Sequence, residues 1–196
     1  PLALDGRLAG GSDDLAPLGR WLDLPLAGAV DLALALAPRD DQSARLDAGL
    51  RDLEAAGVGI ARLGLEATAS ELLATPKLDV AAELVELDSG ASVVERAELA
   101  LAGGLDALAL TVDAAGRLPQ TFELAAAADL ALAGAPTTVT LTRLDGTVEE
   151  LPIRLRAPAT LRMEDATLAL DGLDLELDTG RLQGGATLGA ERIEGL

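Results

Sequence analysis

The side chains best suited to chemistry in this 196-residue chain are its paired carboxylates, Asp13–Asp14, Asp40–Asp41 and Glu149–Glu150. Two neighbouring carboxyls are the working parts of many glycoside hydrolases. Each pair lies in or beside a predicted turn, however, where solvated charge is the ordinary use of such residues. Other routes close more firmly. The chain has no histidine, which removes imidazole acids and bases, His-based triads and His metal ligands, and no cysteine, which removes disulfides and thiolate metal sites. Ser89, Ser92 and the other serines have no activating base nearby in sequence. Gly10-Gly11-Ser12-Asp13 resembles a fragment of a calcium-binding nonapeptide, a motif that works in tandem copies and here stands alone. Arg154 and Arg156 alternate with Ile153 and Leu155, so on a strand both guanidinium groups share a face. The favoured use is a solvated face whose arginine stems cover apolar surface, and the alternative is contact with a phosphate head group or a partner protein. No catalytic residue, metal site or cofactor is expected, and the chain reads as a non-enzyme.

The elements that would position these side chains are strands. In the stretch 161–188, Leu173, Leu175 and Leu177 fall at every second position with Asp174 and Glu176 between them, which gathers the leucines on one face of an extended backbone. Asp171-Gly172 and Thr179-Gly180 read as the turns that bound this run. Leu-Asp-Gly recurs at Leu4, Leu144 and Leu170, and Leu-Asp-x-Gly at Leu87 and Leu177, at irregular spacing. Similar alternation predicts strands over 2–10, 29–37, 58–69, 78–87, 92–102, 106–114, 121–132, 137–144, 149–156 and 159–163, with an irregularity at Gly64. The segment 45–56 fits either period and is assigned to a strand. Ser12-Asp13-Asp14 followed by Leu15, Leu18 and Leu22 predicts a short helix within 13–22, with Pro17 in its first turn. Strand after strand on short connections implies an antiparallel sheet. About 14 strands at roughly 4.8 Å each would span some 65 Å, more than a flat open sheet tolerates. The expected fold is all-β: a curved, mostly antiparallel, multi-strand sheet over 1–196 that forms an elongated apolar groove.

Composition narrows the partners. Hydrophobic residues make up 49% of the chain but aromatics only 1%, so an apolar face must be lined almost wholly by Leu, Ala and Val. The net charge of −18 repels a phosphate backbone and base-stacking aromatics are lacking, which argues against nucleic acid. Trp21 and Phe122 cannot build the interfacial girdles of a transmembrane barrel. The chain begins at Pro1 without a charged leader and has no apolar run near the roughly 18 residues of a membrane-crossing helix. It reads as a slice of a longer protein whose anchor lies elsewhere.

The run Leu151-Pro152-Ile153-Arg154-Leu155-Arg156-Ala157-Pro158-Ala159-Thr160-Leu161, then Leu170 to Leu177 and Gly180-Arg181-Leu182-Gln183-Gly184-Gly185-Ala186, resembles the long periplasmic β-rich portion of the TamB family, of the AsmA-like group. Leu22 to Leu36, with Leu24-Pro25-Leu26-Ala27-Gly28 entering a strand, and Pro76-Lys77-Leu78-Asp79 are similar. The resemblance implies a "β-taco" sheet with an aliphatic concave side, in a protein anchored in the inner membrane and reaching across the periplasm of a Gram-negative envelope. It implies passage of phospholipid toward the outer membrane, and assembly of outer-membrane proteins with a TamA-like barrel as partner. On this reading Leu32, Leu34, Leu36, Leu99, Leu101, Leu108, Leu110, Val112, Leu130, Leu132, Leu168, Leu170, Leu175 and Leu177 line a trough for phospholipid acyl chains. Two other readings stay open: an assembly factor that pairs an exposed sheet edge with unfolded β-strands, and a structural β-solenoid stalk with its apolar face fully buried.

Overall fold

A computed structural model describes residues 4–38, 41–164 and 167–189. The chain forms one antiparallel sheet of 13 strands. In order these are β1 (Gly6–Ser12), β2 (Leu26–Ala37), β3 (Ser43–Ala55), β4 (Val58–Ser70), β5 (Lys77–Asp88), β6 (Val93–Gly104), β7 (Ala107–Leu118), β8 (Gln120–Ala131), β9 (Thr137–Val148), β10 (Leu151–Leu155), β11 (Ala159–Glu164), β12 (Thr167–Leu177) and β13 (Gly180–Gly189). Among the described residues there is one helix, α1 (Ala16–Leu22), which joins β1 to β2. The expected all-β antiparallel sheet, with a short helix inside 13–22, is what the chain forms.

Each strand pairs with the next in sequence, so the sheet is a string of hairpins. The exception lies beyond β9: β10 pairs with its end through Leu151↔Val148, and β11 with its start through Met163↔Thr137. The two short strands are thus halves of one strand, interrupted at Arg156–Pro158, and both pair with β12 on the other side. Most strands run 10 to 13 residues, about 40 Å at 3.3 Å per residue. The segment 45–56, ambiguous by period, is extended within β3. Pairing with β2 on one side and β4 on the other decides the period that the residues alone leave open.

Several turn signals prove to be something else. Asp145-Gly146 lies inside β9, and the actual reversal comes later, at Glu149-Glu150. The glycine serves close strand approach: a Cβ on Gly146 would collide with the Glu123 carbonyl and the Leu124 side chain. Asp171-Gly172 likewise sits within β12, where it forms a bulge between Leu170 and Leu173 with Gly172 at φ 73°. Thr179-Gly180 was expected as a turn, and the reversal is at Asp178-Thr179, with Gly180 already in β13. β4 pairs regularly through Gly64, which faces Gly49 and Glu83. β1 starts at Gly6 rather than before Leu4, and the Leu2 end of that predicted strand lies outside the described residues.

Candidate functional site: an uncovered aliphatic face

Residues paired across antiparallel strands point to the same side of a sheet. Following the register therefore assigns every side chain to a face. One row runs Leu32–Ala48–Leu65–Ala82–Leu99–Val112–Ala126–Leu144, and the next runs Leu34–Leu46–Ala67–Val80–Leu101–Leu110–Ala128–Leu141. Large and small residues alternate along the first row from Leu32 to Leu99, and each leucine of the row has an alanine neighbour to lean over. The face continues through Ile153, Leu161, Leu170 and Leu175 to Leu182 and Leu188 on β13.

Irregularities keep the leucines in phase. Leu170 and Leu173 are an odd number apart, which in a regular strand would send Leu173, Leu175 and Leu177 to the other side. The extra residue at Asp171-Gly172 returns them to the aliphatic face. The shift between Ala127 and Ala128 does the same for Leu141 and Leu144 of β9, and the one between Val94 and Arg96 for Val94 and Ala97 of β6.

All the leucine and valine positions named from the sequence as trough-lining lie on this face except Leu132, which follows β8 and donates its N–H to the Leu105 carbonyl at 2.7 Å. Leu46, Leu50, Leu63, Leu65, Leu78, Val80 and Leu84 also lie on this face and were not among the residues named. Their signal was available: on β3 and β5, as on β2, apolar residues recur at every second position.

Nothing else in the described chain covers most of this surface. The buried hydrophobic residues are only Leu15, Leu108, Ala115, Ala128 and Ala159, and Leu108 alone is a large side chain wholly enclosed. Leu32 remains 41% exposed and Leu99 37%. The molecule exposes 12988 Å², against about 8,700 Å² for a compact monomer of its mass. Among the described residues no second sheet packs on the first, and β1 and β13 do not meet to close a barrel. The helix α1 is the partial exception. It packs against β2 on the aliphatic side and, with β1, walls an open cleft of about 740 Å³.

The opposite face is polar. Arg45 pairs with Asp47 at 2.7 Å and with Glu66 at 3.3 Å, Arg96 with Glu123 at 2.6 Å, and Asp145 with both Arg143 at 2.8 Å and Arg154 at 2.9 Å. Arg156 pairs with Glu176, Arg162 with Asp171, and Arg181 with Asp174. These contacts hold the Asp47, Asp145 and Asp174 carboxyls below their usual range, chiefly through hydrogen bonds from Arg45, Arg143 and Arg181 respectively, with Arg154 adding a second on Asp145. Arg154 and Arg156 are therefore engaged in cross-strand ion pairs, the solvated-face use of those residues. A shallow hollow of about 660 Å³ on this side lies over Gly64, among Asp31, Glu83, Glu98 and Asp113.

The carboxylate pairs are scattered. Asp14 accepts the Ala16 N–H at 2.8 Å before α1, while Asp13 stands in solvent, 4.0 Å from Arg51. Glu149 and Glu150 are the two residues of the β9–β10 turn. Asp41 lies in the β2–β3 connection, and Asp40 lies outside the described residues. Gly10 to Ser12 belong to the end of β1, and the Ser89 hydroxyl donates to the Ser92 carbonyl within a turn. Among the described residues no cluster of acidic side chains is placed to hold a metal ion, and no helix is long and apolar enough to cross a membrane. Sequence reasoning missed Gln42, which is buried; its amide accepts from the Leu4 N–H and donates to the Leu4 and Ala37 carbonyls, fastening the start of the chain to the sheet.

No family model, no curated protein and no solved structure matches this chain.

Proposed function

We propose that this chain is a non-enzymatic segment of a TamB-like or AsmA-like envelope protein, working in the periplasm, whose aliphatic face carries phospholipid acyl chains between the inner and outer membranes. The observation that supports this is the two-faced sheet: a leucine, valine and alanine surface that crosses every strand and is left largely uncovered, backed by a charged face. Soluble monomers rarely expose continuous apolar surface of more than a few hundred Å² without an occupant. An acyl chain demands only such a featureless surface and gains about 0.8 kcal/mol for each CH₂ it buries. The resemblance of Leu151–Leu161 and Gly180–Ala186 to the TamB periplasmic portion points to the same occupant.

The test is extraction of a fluorescent phospholipid from vesicles by the purified chain, with mass spectrometry of co-purifying lipid. Wild type is expected to extract lipid, and Leu110→Glu or Leu175→Glu to lose most of that activity while keeping strand content by circular dichroism. A wild-type chain that neither carries nor extracts lipid, or charged variants that extract normally, would defeat the proposal.

A second reading has its own observation. β13 is exposed along its whole length and its outer edge is unpaired in the described residues, which suits backbone pairing with an incoming β-strand, as in outer-membrane protein assembly with a TamA-like barrel. Thr187→Pro in β13 is expected to abolish such pairing and leave lipid extraction intact, whereas Leu110→Glu should do the reverse.

A further inference from the structure

The cleft beside α1 differs from the rest of the aliphatic face in having a wall: the helix stands along one side of it, and the mouth stays open to solvent. The helix is tied to the sheet at its start, where the Leu15 N–H donates to the Gly28 carbonyl at 2.9 Å, and is closed at its end by the Leu24 N–H, which donates to the Gly19 carbonyl at 2.9 Å. Gly19 lies so close to Leu26 that a Cβ on it would stand 2.8 Å from the Leu26 Cβ. Leu15, only 7% exposed, closes the back. Yet the helix does not collapse onto the strands in front of it. Leu8, Val30 and Leu32 below and Leu18 and Trp21 above bound about 740 Å³, inside the range of roughly 300 to 1,000 Å³ typical of small-molecule sites. Trp21 is 79% exposed although it lines this space, so its indole stands at the mouth.

The floor contains a missing side chain. Gly10 pairs with Leu32 on the aliphatic face, and a Cβ placed on it would meet nothing within 4 Å. The polar residues of the boundary are Ser12 and Asp14, and Asp14, one of whose carboxylate oxygens accepts the Ala16 N–H at 2.8 Å, makes it acidic. In a chain of net charge −18 that rim repels an anionic head group. It attracts an ammonium, which can also rest on the exposed indole face.

We infer that the α1–β1–β2 cleft is a discrete binding site for the single acyl chain of an amphiphile with an ammonium-bearing head group, the chain lying over Gly10 and the ammonium beside Asp14 and Trp21. The site shares acyl-chain chemistry with the proposed function but does not require passage along the sheet.

Trp21 is the sole tryptophan, so its fluorescence reports on this cleft. The full chain is titrated, below micelle-forming concentrations, with lysophosphatidylcholine brominated along its acyl chain, since bromine quenches an indole it touches. Saturable quenching is expected, with affinity weakened about ten-fold or more for brominated lysophosphatidylglycerol. Gly10→Phe fills the floor without a backbone clash and is expected to weaken quenching about ten-fold or more at unchanged melting temperature. Asp14→Asn should narrow the gap between the two head groups, and Leu110→Glu, far along the face, should leave quenching intact. Absence of saturable quenching in wild type, wild-type quenching in Gly10→Phe, or loss of quenching in Leu110→Glu overturns the site. Equal response to both head groups overturns the head-group assignment. Trp21 quenching without vesicle extraction sinks only the conduit, and extraction without quenching sinks only this site.

Discussion

Glu149 and Glu150 both hold positive φ, at 49° and 69°, and join β9 to β10 as a two-residue hairpin turn. That geometry is the type I′ pattern, which favours Asn-Gly because residues with a Cβ are disfavoured there. Replacing the pair by Asn-Gly is expected to raise stability by about 1–2 kcal/mol in urea unfolding. No gain would mean that the carboxylates supply something the turn needs. Asp145 shows how the polar face responds to acid. Hydrogen bonds from Arg143 and then Arg154 lower its folded pKa, so its contribution is complete above the unfolded value and disappears as pH falls through the folded one. The window therefore lies below about pH 4. Between pH 6 and pH 3, Asp145→Asn should lose less of its urea midpoint than wild type does, and by a small margin because the group is solvated. An equal loss in both proteins would detach Asp145 from the acid response.

At the scale of elements, what was legible in the sequence is the period. Alternation placed nearly all the strands, and Leu15, Leu18 and Leu22 placed α1, because both signals are local. The phase corrections were not legible. Leu141 and Leu144, or Leu170 and Leu173, break the period, and only the partner strand shows that an added residue restores it. Asp145-Gly146 misled for a related reason: a glycine required by a neighbouring strand looks the same as one required by a turn. Gly146→Ala is accordingly expected to cost about 1–3 kcal/mol through overpacking against Glu123 and Leu124, whereas a turn glycine with solvent around it would tolerate the change. Urea unfolding of this variant distinguishes the two. The alternation could not say whether the leucines meet a second layer or nothing, since both arrangements give the same pattern. Nor could it foresee that Gln42, in a polar loop, is buried by its contacts with Leu4.

For the whole molecule, the absence of a second layer decides how stability is distributed. Each central strand is braced on both sides, while β1 and β13 have one neighbour each among the described strands. Amide exchange is expected to be slowest in β5 to β8 and fastest in β13, whose residues are all exposed. Uniform protection from edge to edge would indicate a covering partner, such as self-association through the aliphatic face. The same thinness explains the surface of 12988 Å²: the leucines shelter one another sideways and leave their tips to whatever arrives.

The succession of hairpins carries one more consequence. Because a strand addresses only the strands beside it, the ribbon has no central register that an inserted pair would upset. A grafted hairpin in phase would lengthen the greasy track by about 9.6 Å, and a deleted one would shorten it by as much. Reach across a gap can therefore be tuned by counting hairpins, with every other address in the molecule left as it was.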